Sequence, residues 1–254
     1  MKITFLGTGT SCGVPVIGCR CEVCQSTDVR DSRMRTSAFI ETSDCNLLID
    51  CGPDFRTQYL DIIRDKKIDG VLLTHIHYDH VGGLDDLRPL TYNCGGMSVY
   101  CKGDVMERLR ENLGYCFGNK HYPGSPVINL TEISEYDRFD VNGVEVIPLA
   151  VRHGDLDILG FRIGDIGYIT DASELPEHTI DRLRGVKILV INALREKEHR
   201  SHMNLKSALD VITKICPEKS YLTHMSHEIG LHENISSKLP HGVYAAYDGL
   251  TSIV

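Results

Sequence analysis

Four side chains that commonly bind metal ions lie within six residues of this chain, in the spacing H-x-H-x-D-H. They are His75, His77, Asp79 and His80. Imidazole nitrogens and carboxylate oxygens are the ligands that zinc and related divalent ions take in hydrolytic sites. A polar surface loop is the alternative, but this spacing favours a metal site. Such a site needs further ligands from later in the chain.

The residues around this loop predict where it lies. The apolar run at 71–73 is typical of a short buried strand, and Gly82 and Gly83 allow the backbone to turn sharply after the loop. Functional side chains in layered α/β folds commonly follow strand ends. We therefore expect the remaining ligands to follow strand ends as well.

Three later residues meet this expectation. They are His153, Asp171 and His224. The apolar segments before them predict strands at 144–151, 167–170 and 221–223. The sequence thus offers seven candidate ligands in four separate segments.

The other elements predict an α/β (α+β) fold in which two sheets pack face to face with helices outside. Further strands are predicted at 2–6, 37–42, 46–49, 97–101, 158–163 and 187–191, and helices at 53–63, 104–113 and 204–215. Asp248-Gly249, between apolar segments 243–247 and 250–254, predicts a β-hairpin. The segment G-T-G-T-S at 7–11 predicts a tight turn that lets the backbone pass close to a site.

Asp50 lies at the end of the predicted strand 46–49. Its carboxylate can accept hydrogen bonds from the metal loop and orient the histidines there. Alternatively, it caps a helix that begins at Pro53.

A second possible metal site is the C-x-C-x-x-C cluster of Cys19, Cys21 and Cys24. We predict a structural zinc loop at 12–27, because three thiolates in a short loop can surround one ion. Tetrahedral zinc then requires a fourth ligand from elsewhere. Three unliganded thiols are the alternative.

Composition limits the functional classes. The chain has 254 residues and a net charge of −8, which disfavours bulk nucleic-acid binding. The N-terminus lacks the pattern of an export signal, and no apolar run is long enough for a membrane span. We therefore expect a cytoplasmic protein with no membrane partner, whose ten cysteines are thiols or metal ligands.

The candidate residues together resemble the metallo-β-lactamase superfamily. The residues that carry the resemblance are Asp50, His75, His77, Asp79, His80, His153, Asp171 and His224. The resemblance implies a four-layer αββα sandwich, with residues 1–254 forming a single hydrolase domain.

A narrower resemblance is to the PhnP-type phosphodiesterases, accessory enzymes of the carbon–phosphorus lyase pathway. It is carried by the segments at 7–9, 14–15, 18–24 and 35–38 and by the pair His224 and His227. It implies that His227 completes the structural zinc site and that His202 is the general acid. His199 is a rival for that role. A homodimer is also implied.

The superfamily resemblance implies a dinuclear centre of zinc or manganese. His75, His77 and His153 would bind one ion. Asp79, His80 and His224 would bind the second, with Asp171 between the two ions. A hydroxide held between the ions would attack a small phosphodiester substrate, such as a cyclic ribose phosphate or a nucleotide diester.

Three other functions remain open. A tRNA 3′-processing endonuclease has the same ligands, but its class usually adds a basic arm that this sequence lacks. A glyoxalase-type thioesterase fits the ligands and leaves the cysteines unexplained. A non-catalytic zinc-binding scaffold protein is the non-enzyme alternative.

Overall fold

The computed structural model describes residues 1–91, 95–117 and 124–254. The first sheet contains seven strands in the described part of the chain, in the order β14-β1-β2-β3-β4-β5-β6. Their bounds are β1 (Lys2–Gly7), β2 (Ser37–Glu41), β3 (Asn46–Ile49), β4 (Gly70–Leu72), β5 (Met97–Cys101), β6 (Ile128–Glu132) and β14 (Thr251–Ile253). Strands β3 to β6 run parallel to one another, and β1 to β3 and β14 pair antiparallel.

The second sheet has the order β13-β12-β11-β10-β9-β8-β7. Its strands are β7 (Phe139–Val141), β8 (Val144–His153), β9 (Leu156–Ile163), β10 (Ile166–Tyr168), β11 (Ile188–Asn192), β12 (Lys219–Thr223) and β13 (Val243–Ala245). Strands β7 to β10 pair antiparallel and β10 to β13 pair parallel.

The helices of the described residues are short. They are α1 (Phe55–Ile62), α2 (Tyr78–Val81), α3 (Arg88–Thr91), α4 (Gly103–Asn112), α5 (Glu177–Leu183), α6 (Leu205–Ile215) and α7 (His232–Lys238). In α6, the Asn204 side chain accepts a hydrogen bond from the Ser207 backbone N–H, and the buried face repeats at Ala208, Val211 and Ile215. None of the helices in these ranges is long and apolar enough to cross a membrane.

Three apolar clusters show how the layers pack. One lies between the sheets and includes Phe5, Leu47 and Phe161. A second joins the first sheet to α1 and α4, and a third joins the second sheet to α5 and α6. The predicted four-layer αββα sandwich is therefore confirmed.

The strand directions bring the candidate ligands to one edge of the sandwich. In the first sheet, β1, β3 and β4 point the same way, and in the second sheet β8, β10 and β12 do so. The candidate ligands follow or end these strands, so strand ends far apart in sequence meet at the same edge.

Two local predictions are wrong. Segments 243–247 and 250–254 do not form a hairpin, because β13 joins the second sheet beside β12 while β14 joins the first beside β1. The turn between them crosses from one sheet to the other because the Asp248 carboxylate is engaged by Thr8 Oγ1 and the Met34 backbone N–H.

The second wrong prediction is the tight turn at 7–11, because the backbone at Gly9 is extended. Gly9 forms parallel bridges to both Arg35 and Met225, so the backbone continues as an extended strip. The close approach expected there is present: a Cβ on Gly7 would lie 2.0 Å from the Arg35 carbonyl oxygen.

Candidate metal centre

Seven histidine and aspartate side chains converge at the strand-end edge. Their donor atoms form two groups, and within each group all atoms lie within 4.8 Å of one another. The first group is His75, His77 and His153; the second is Asp79, His80, Asp171 and His224. The structure thus brings together every ligand expected for a dinuclear centre.

Asp171 lies between the two groups. Its Oδ2 atom is 3.9 Å from His75 Nε2 and 4.0 Å from His153 Nε2. Its Oδ1 atom is 3.3 Å from His80 Nε2 and 3.0 Å from His224 Nδ1. One carboxylate therefore presents one oxygen to each group.

Asp50 orients His80 directly and His75 through Thr74, in each case at the Nδ1 atom of the ring. His80 Nδ1–H donates to Asp50 Oδ2 at 2.6 Å. The Thr74 hydroxyl donates to the same carboxylate and lies 3.0 Å from His75 Nδ1, from which it accepts. Both rings therefore present Nε2 to the cluster, as metal-binding histidines with an anchored second nitrogen do.

His153 is anchored in the same way by a backbone group. Its Nδ1–H donates to the Ser201 carbonyl oxygen at 2.7 Å, which leaves Nε2 facing Asp171. The carbonyl can only accept, so it fixes the tautomer of the ring.

The charges around His80 indicate that the cluster requires positive charge. Its Nε2 atom lies 3.1 Å from Asp79 Oδ2 and 3.3 Å from Asp171 Oδ1. This Nε2 atom is buried, and within the described residues it makes no hydrogen bond of good geometry. Burial alone would lower the pKa of His80, but the carboxylates of Asp171, Asp50 and Asp79 raise it well above its ordinary value.

Asp171 shows the complementary effect. Burial alone would raise its pKa, but the imidazoles of His224 and His80 hold it well below its ordinary value. Buried carboxylates need a cation or several hydrogen bonds to remain charged. Some of these donor atoms pair with each other, such as His75 Nε2 with His77 Nδ1 at 2.9 Å, and their convergence on two points fits a pair of divalent ions.

The backbone carries strain at this site. Asp50, Asp171 and His224 have φ values of 60°, 55° and 54°, in the left-handed region. This conformation costs a non-glycine residue about 1–2 kcal/mol. Such strain persists where the surrounding structure fixes the side-chain direction, and it is concentrated at functional sites.

The cysteine cluster forms a separate group with His227. The Sγ atoms of Cys19, Cys21 and Cys24 lie 3.4, 3.2 and 3.6 Å from His227 Nδ1. Zinc bonds of about 2.3 Å to sulfur and about 2.0 Å to nitrogen, in a tetrahedron, separate these atoms by roughly 3.5 Å. The distances therefore fit one tetrahedral zinc ion.

Backbone N–H groups support thiolate character in this loop. The Cys24 N–H lies 3.5 Å from Cys21 Sγ, and together with His227 it lowers the pKa of Cys21 to about 6. Burial raises the pKa of Cys24 to about 11, although the Val16 N–H donates to its sulfur. A cation held by the four ligands would stabilise all three thiolates.

His202, but not His199, lies against the histidine cluster. The His202 ring centroid is 4.7 Å from that of His153 and 4.9 Å from that of His224. Its Nδ1 atom is buried and lies 4.0 Å from Asp171 Oδ2. His199 is exposed, and its Nδ1 is engaged by Ser201.

Sequence reasoning missed several residues that contact the cluster, including Thr170, whose hydroxyl donates to Asp171 Oδ1 at 2.8 Å. Thr74 connects Asp50 to His75, and Thr10 Oγ1 lies 3.1 Å from His224 Nε2. Thr74 directly precedes the ligand motif, so its position in the sequence could have indicated a contact with His75. Thr10 is 214 residues from His224 in sequence, so no local pattern connects them.

Comparison with known proteins places the chain among relatives of this fold. The family model described as the beta-lactamase superfamily domain matches residues 45–225. A solved structure described as a new diphosphatase from the PhnP family is 36% identical, with a TM-score of 0.91, and the match covers 99% of this chain and 96% of that one.

This chain is also similar to parts of two longer curated proteins. An octanoyltransferase of Porphyromonas gingivalis is 43% identical over 256 residues, which cover 100% of this chain and 52% of that protein. A ribonuclease Z of Bacillus licheniformis is 28% identical over 183 residues, which cover 70% of this chain and 54% of that protein. The chain thus spans about half the length of these curated relatives.

The cysteine group and the histidine cluster are joined by the short segment between His224 and His227. We expect Cys21→Ser to lose one equivalent of zinc and also to reduce hydrolysis, because the loop would no longer hold this segment. Elemental analysis and an activity assay measure the two effects.

Cys12→Ser is the matched control, since Cys12 is an exposed cysteine outside the four-ligand group. Unchanged zinc in Cys21→Ser would refute the ligand assignment. Full activity with one equivalent of zinc fewer would refute the coupling between the two sites.

Proposed function

Because this chain belongs to the metallo-β-lactamase superfamily and, within it, to the PhnP family, we propose that it is a metal-dependent hydrolase of small phosphodiesters. The observation that supports this most directly is the position of Asp171, whose two oxygens face two separate donor groups. This arrangement suits two ions close together, which is the geometry of many phosphoesterases.

Each of the two donor groups would bind one ion. His75, His77 and His153 would hold one ion. Asp79, His80 and His224 would hold the second, and the Asp171 carboxylate faces both donor groups. Zinc or manganese fits these ligands. The ions supply a water of lowered pKa and positive charge opposite the phosphoryl oxygens.

The chain's own groups prepare the site for this chemistry. The carboxylates of Asp171 and Asp79 offset part of the positive charge of two dications, which neutral imidazoles cannot do. Asp50 fixes the tautomers of His80 and, through Thr74, of His75. These ligands are therefore oriented before substrate binds, so little reorganisation is needed during the reaction.

His202 would donate a proton to the leaving alcohol; its position beside His153 and His224 supports this role. Burial, followed by the neighbouring His224, lowers its pKa to about 3, so its ring is neutral in the free protein. A phosphate anion beside it would raise that pKa again, because an opposite charge favours the imidazolium form.

The surroundings of the site favour a small substrate over a nucleic acid. A cavity of about 430 Å³ adjoins His75, which is in the usual range for small-molecule sites. Four carboxylates line this cavity with one lysine, Lys102; they belong to Asp104, Glu132, Asp155 and Asp157. The net negative charge of this lining disfavours a second phosphate and suits a neutral, hydroxyl-bearing group.

The names of two relatives favour other substrates. The ribonuclease Z match supports RNA 3′-processing, although this chain has a net charge of −8. The octanoyltransferase match favours a thioester substrate, and a thioesterase would use the same ligands. Because only about half of that protein is matched, its name is weaker support than the site itself.

The proposal predicts that purified protein hydrolyses bis(nitrophenyl) phosphate and one or more small cyclic or linear phosphodiesters. Chelation should abolish turnover and zinc or manganese should restore it, because the ions supply the attacking water and the charge. Asp171→Asn should lose most of this activity. The matched control is Asp165→Asn: Asp165 precedes β10, the strand that Asp171 follows, and its partly exposed carboxylate pairs with Lys187.

A precursor tRNA and an octanoyl thioester belong in the same panel. Preference for either over every small phosphodiester would contradict the proposal in favour of that substrate. Full metal content without turnover of any substrate would favour a zinc-binding scaffold protein.

The role of His202 predicts a dependence on the leaving group. His202→Ala should slow esters of poor leaving alcohols by about 100-fold or more, the usual contribution of a general acid. It should slow nitrophenyl esters far less, since nitrophenolate leaves without a proton. Rates for both classes are compared with those of the control His199→Ala, which should show neither loss.

Equal losses on both ester classes would remove the acid role. His153, Asp171 and His202 also form a possible ligand set, so the metal content of His202→Ala is measured in parallel. Loss of an ion in this variant would make His202 a ligand instead.

A further inference from the structure

We propose that Thr10 is a positioning residue for His224, and that its hydroxyl holds the imidazole so that Nδ1 faces the metal site. This inference rests on the proposed function, because it takes His224 as a metal ligand. Sequence reasoning assigned no role to the side chains of the G-T-G-T-S segment. The structure places one of them against the candidate centre.

The two nitrogens of His224 face different partners. Nε2 lies 3.1 Å from Thr10 Oγ1, and Nδ1 lies 3.0 Å from Asp171 Oδ1. A hydroxyl can donate or accept, so the ligand role of His224 sets the direction here: with the Nδ1 lone pair directed at the centre, Nε2 carries the proton and donates to Thr10 Oγ1. Thr10 then holds the His224 ring as the Asp50 carboxylate holds that of His80.

The backbone fixes the distance between these two residues. The Thr10 N–H donates to the Met225 carbonyl at 3.1 Å, and the Met225 N–H donates to the Thr8 carbonyl at 2.9 Å. Gly9 lies between these bonds and forms bridges on both sides. A Cβ there would lie 2.9 Å from Arg33 Cβ, so only glycine permits this approach.

A buried polar network anchors the strip two residues before Thr10. Arg33 is 3% exposed, and its Nη1 donates to Thr8 Oγ1 at 2.8 Å and to the Ala246 carbonyl at 2.6 Å. Thr8 in turn donates to Asp248 Oδ1. Buried networks of this kind rigidify the segments that they join.

Loss of the Thr10 hydroxyl should weaken metal binding without removing a ligand. His224 Nε2 would lose its acceptor, and the ring could rotate or change tautomer. Mutation of a group that orients a ligand typically costs 10–100-fold in metal affinity. The effect should fall on the ion that His224 binds, and the Cys3His group should keep its zinc.

The test compares Thr10→Val, which removes the hydroxyl at similar size, with Thr10→Ser, which keeps it. Metal affinity is measured by competition with a chromophoric chelator, and ions retained after dialysis are counted. We expect Thr10→Val to bind one active-site ion about 10–100-fold more weakly, and Thr10→Ser to bind it like the parent protein.

Thr36→Val is the matched control on the neighbouring segment, which pairs with the strip at Gly9. Thr36 is buried, and its hydroxyl donates to the Gly9 carbonyl at 2.7 Å without contacting a candidate ligand. This variant should lose thermal stability and keep its metal affinity. If Thr10→Val does not fold, Thr10→Ala removes the same hydroxyl with less bulk and replaces it.

Parent-like metal affinity in Thr10→Val would overturn the inference. Equal losses in Thr36→Val, or no rescue in Thr10→Ser, would also overturn it, since the effect would then be general to the strip. His224→Ala tests the premise separately. If that variant retained every ion, the metal centre itself would be wrongly assigned, whatever the result for Thr10.

Discussion

The arrangement of this protein depends on burying negative charge at one edge of the sandwich. The carboxylates of Asp50, Asp79 and Asp171 surround His80, and Asp171 also faces the imidazoles of His75, His153 and His224. Without a cation, the cluster stabilises protonated His80, as the raised pKa of that residue shows. A buried charge of this kind is strongly unfavourable unless it is paired. Two divalent ions would supply that pairing and the chemistry together.

The fold brings these groups together through strand direction. Ligands from four segments meet because the strands that precede them end at one edge, in two sheets that face each other. Three of the residues adopt left-handed backbone conformations there, and the strain is offset by the packing and hydrogen bonds around them. The cysteine loop, whose sulfur atoms surround His227 Nδ1, and the Gly7–Thr10 strip contact the segment that carries His224 from two sides.

The sequence predicts most of the candidate ligands and the strands before them, because short motifs and apolar runs identify both. The H-x-H-x-D-H and C-x-C-x-x-C motifs identify ligands by type and spacing, and apolar runs identify the strands before His153, Asp171 and His224. The layer order follows from the same periodicity and from the family resemblance, and it is confirmed.

The remaining features depend on contacts between distant segments. Thr10 reaches His224 across 214 residues, and no spacing rule predicts such a pair. Asp248-Gly249 has the composition of a hairpin turn, yet buried contacts with Thr8 and Met34 make it a crossing between sheets. Likewise, the path of the loop after β11 brings His202 against the histidine cluster and leaves His199 exposed, which the sequence alone does not indicate.

The central claim, that Asp171 lies between two cations, is tested most directly by anomalous X-ray diffraction. Crystals of protein purified without chelators would be measured at the zinc and manganese absorption edges. The account predicts two peaks within bonding distance of Asp171, separated by roughly 3.5–4 Å, and a third among Cys19, Cys21, Cys24 and His227. A fully metal-supplemented crystal with no peak beside Asp171, and with its carboxylate hydrogen-bonded to His80 and His224 instead, would contradict it.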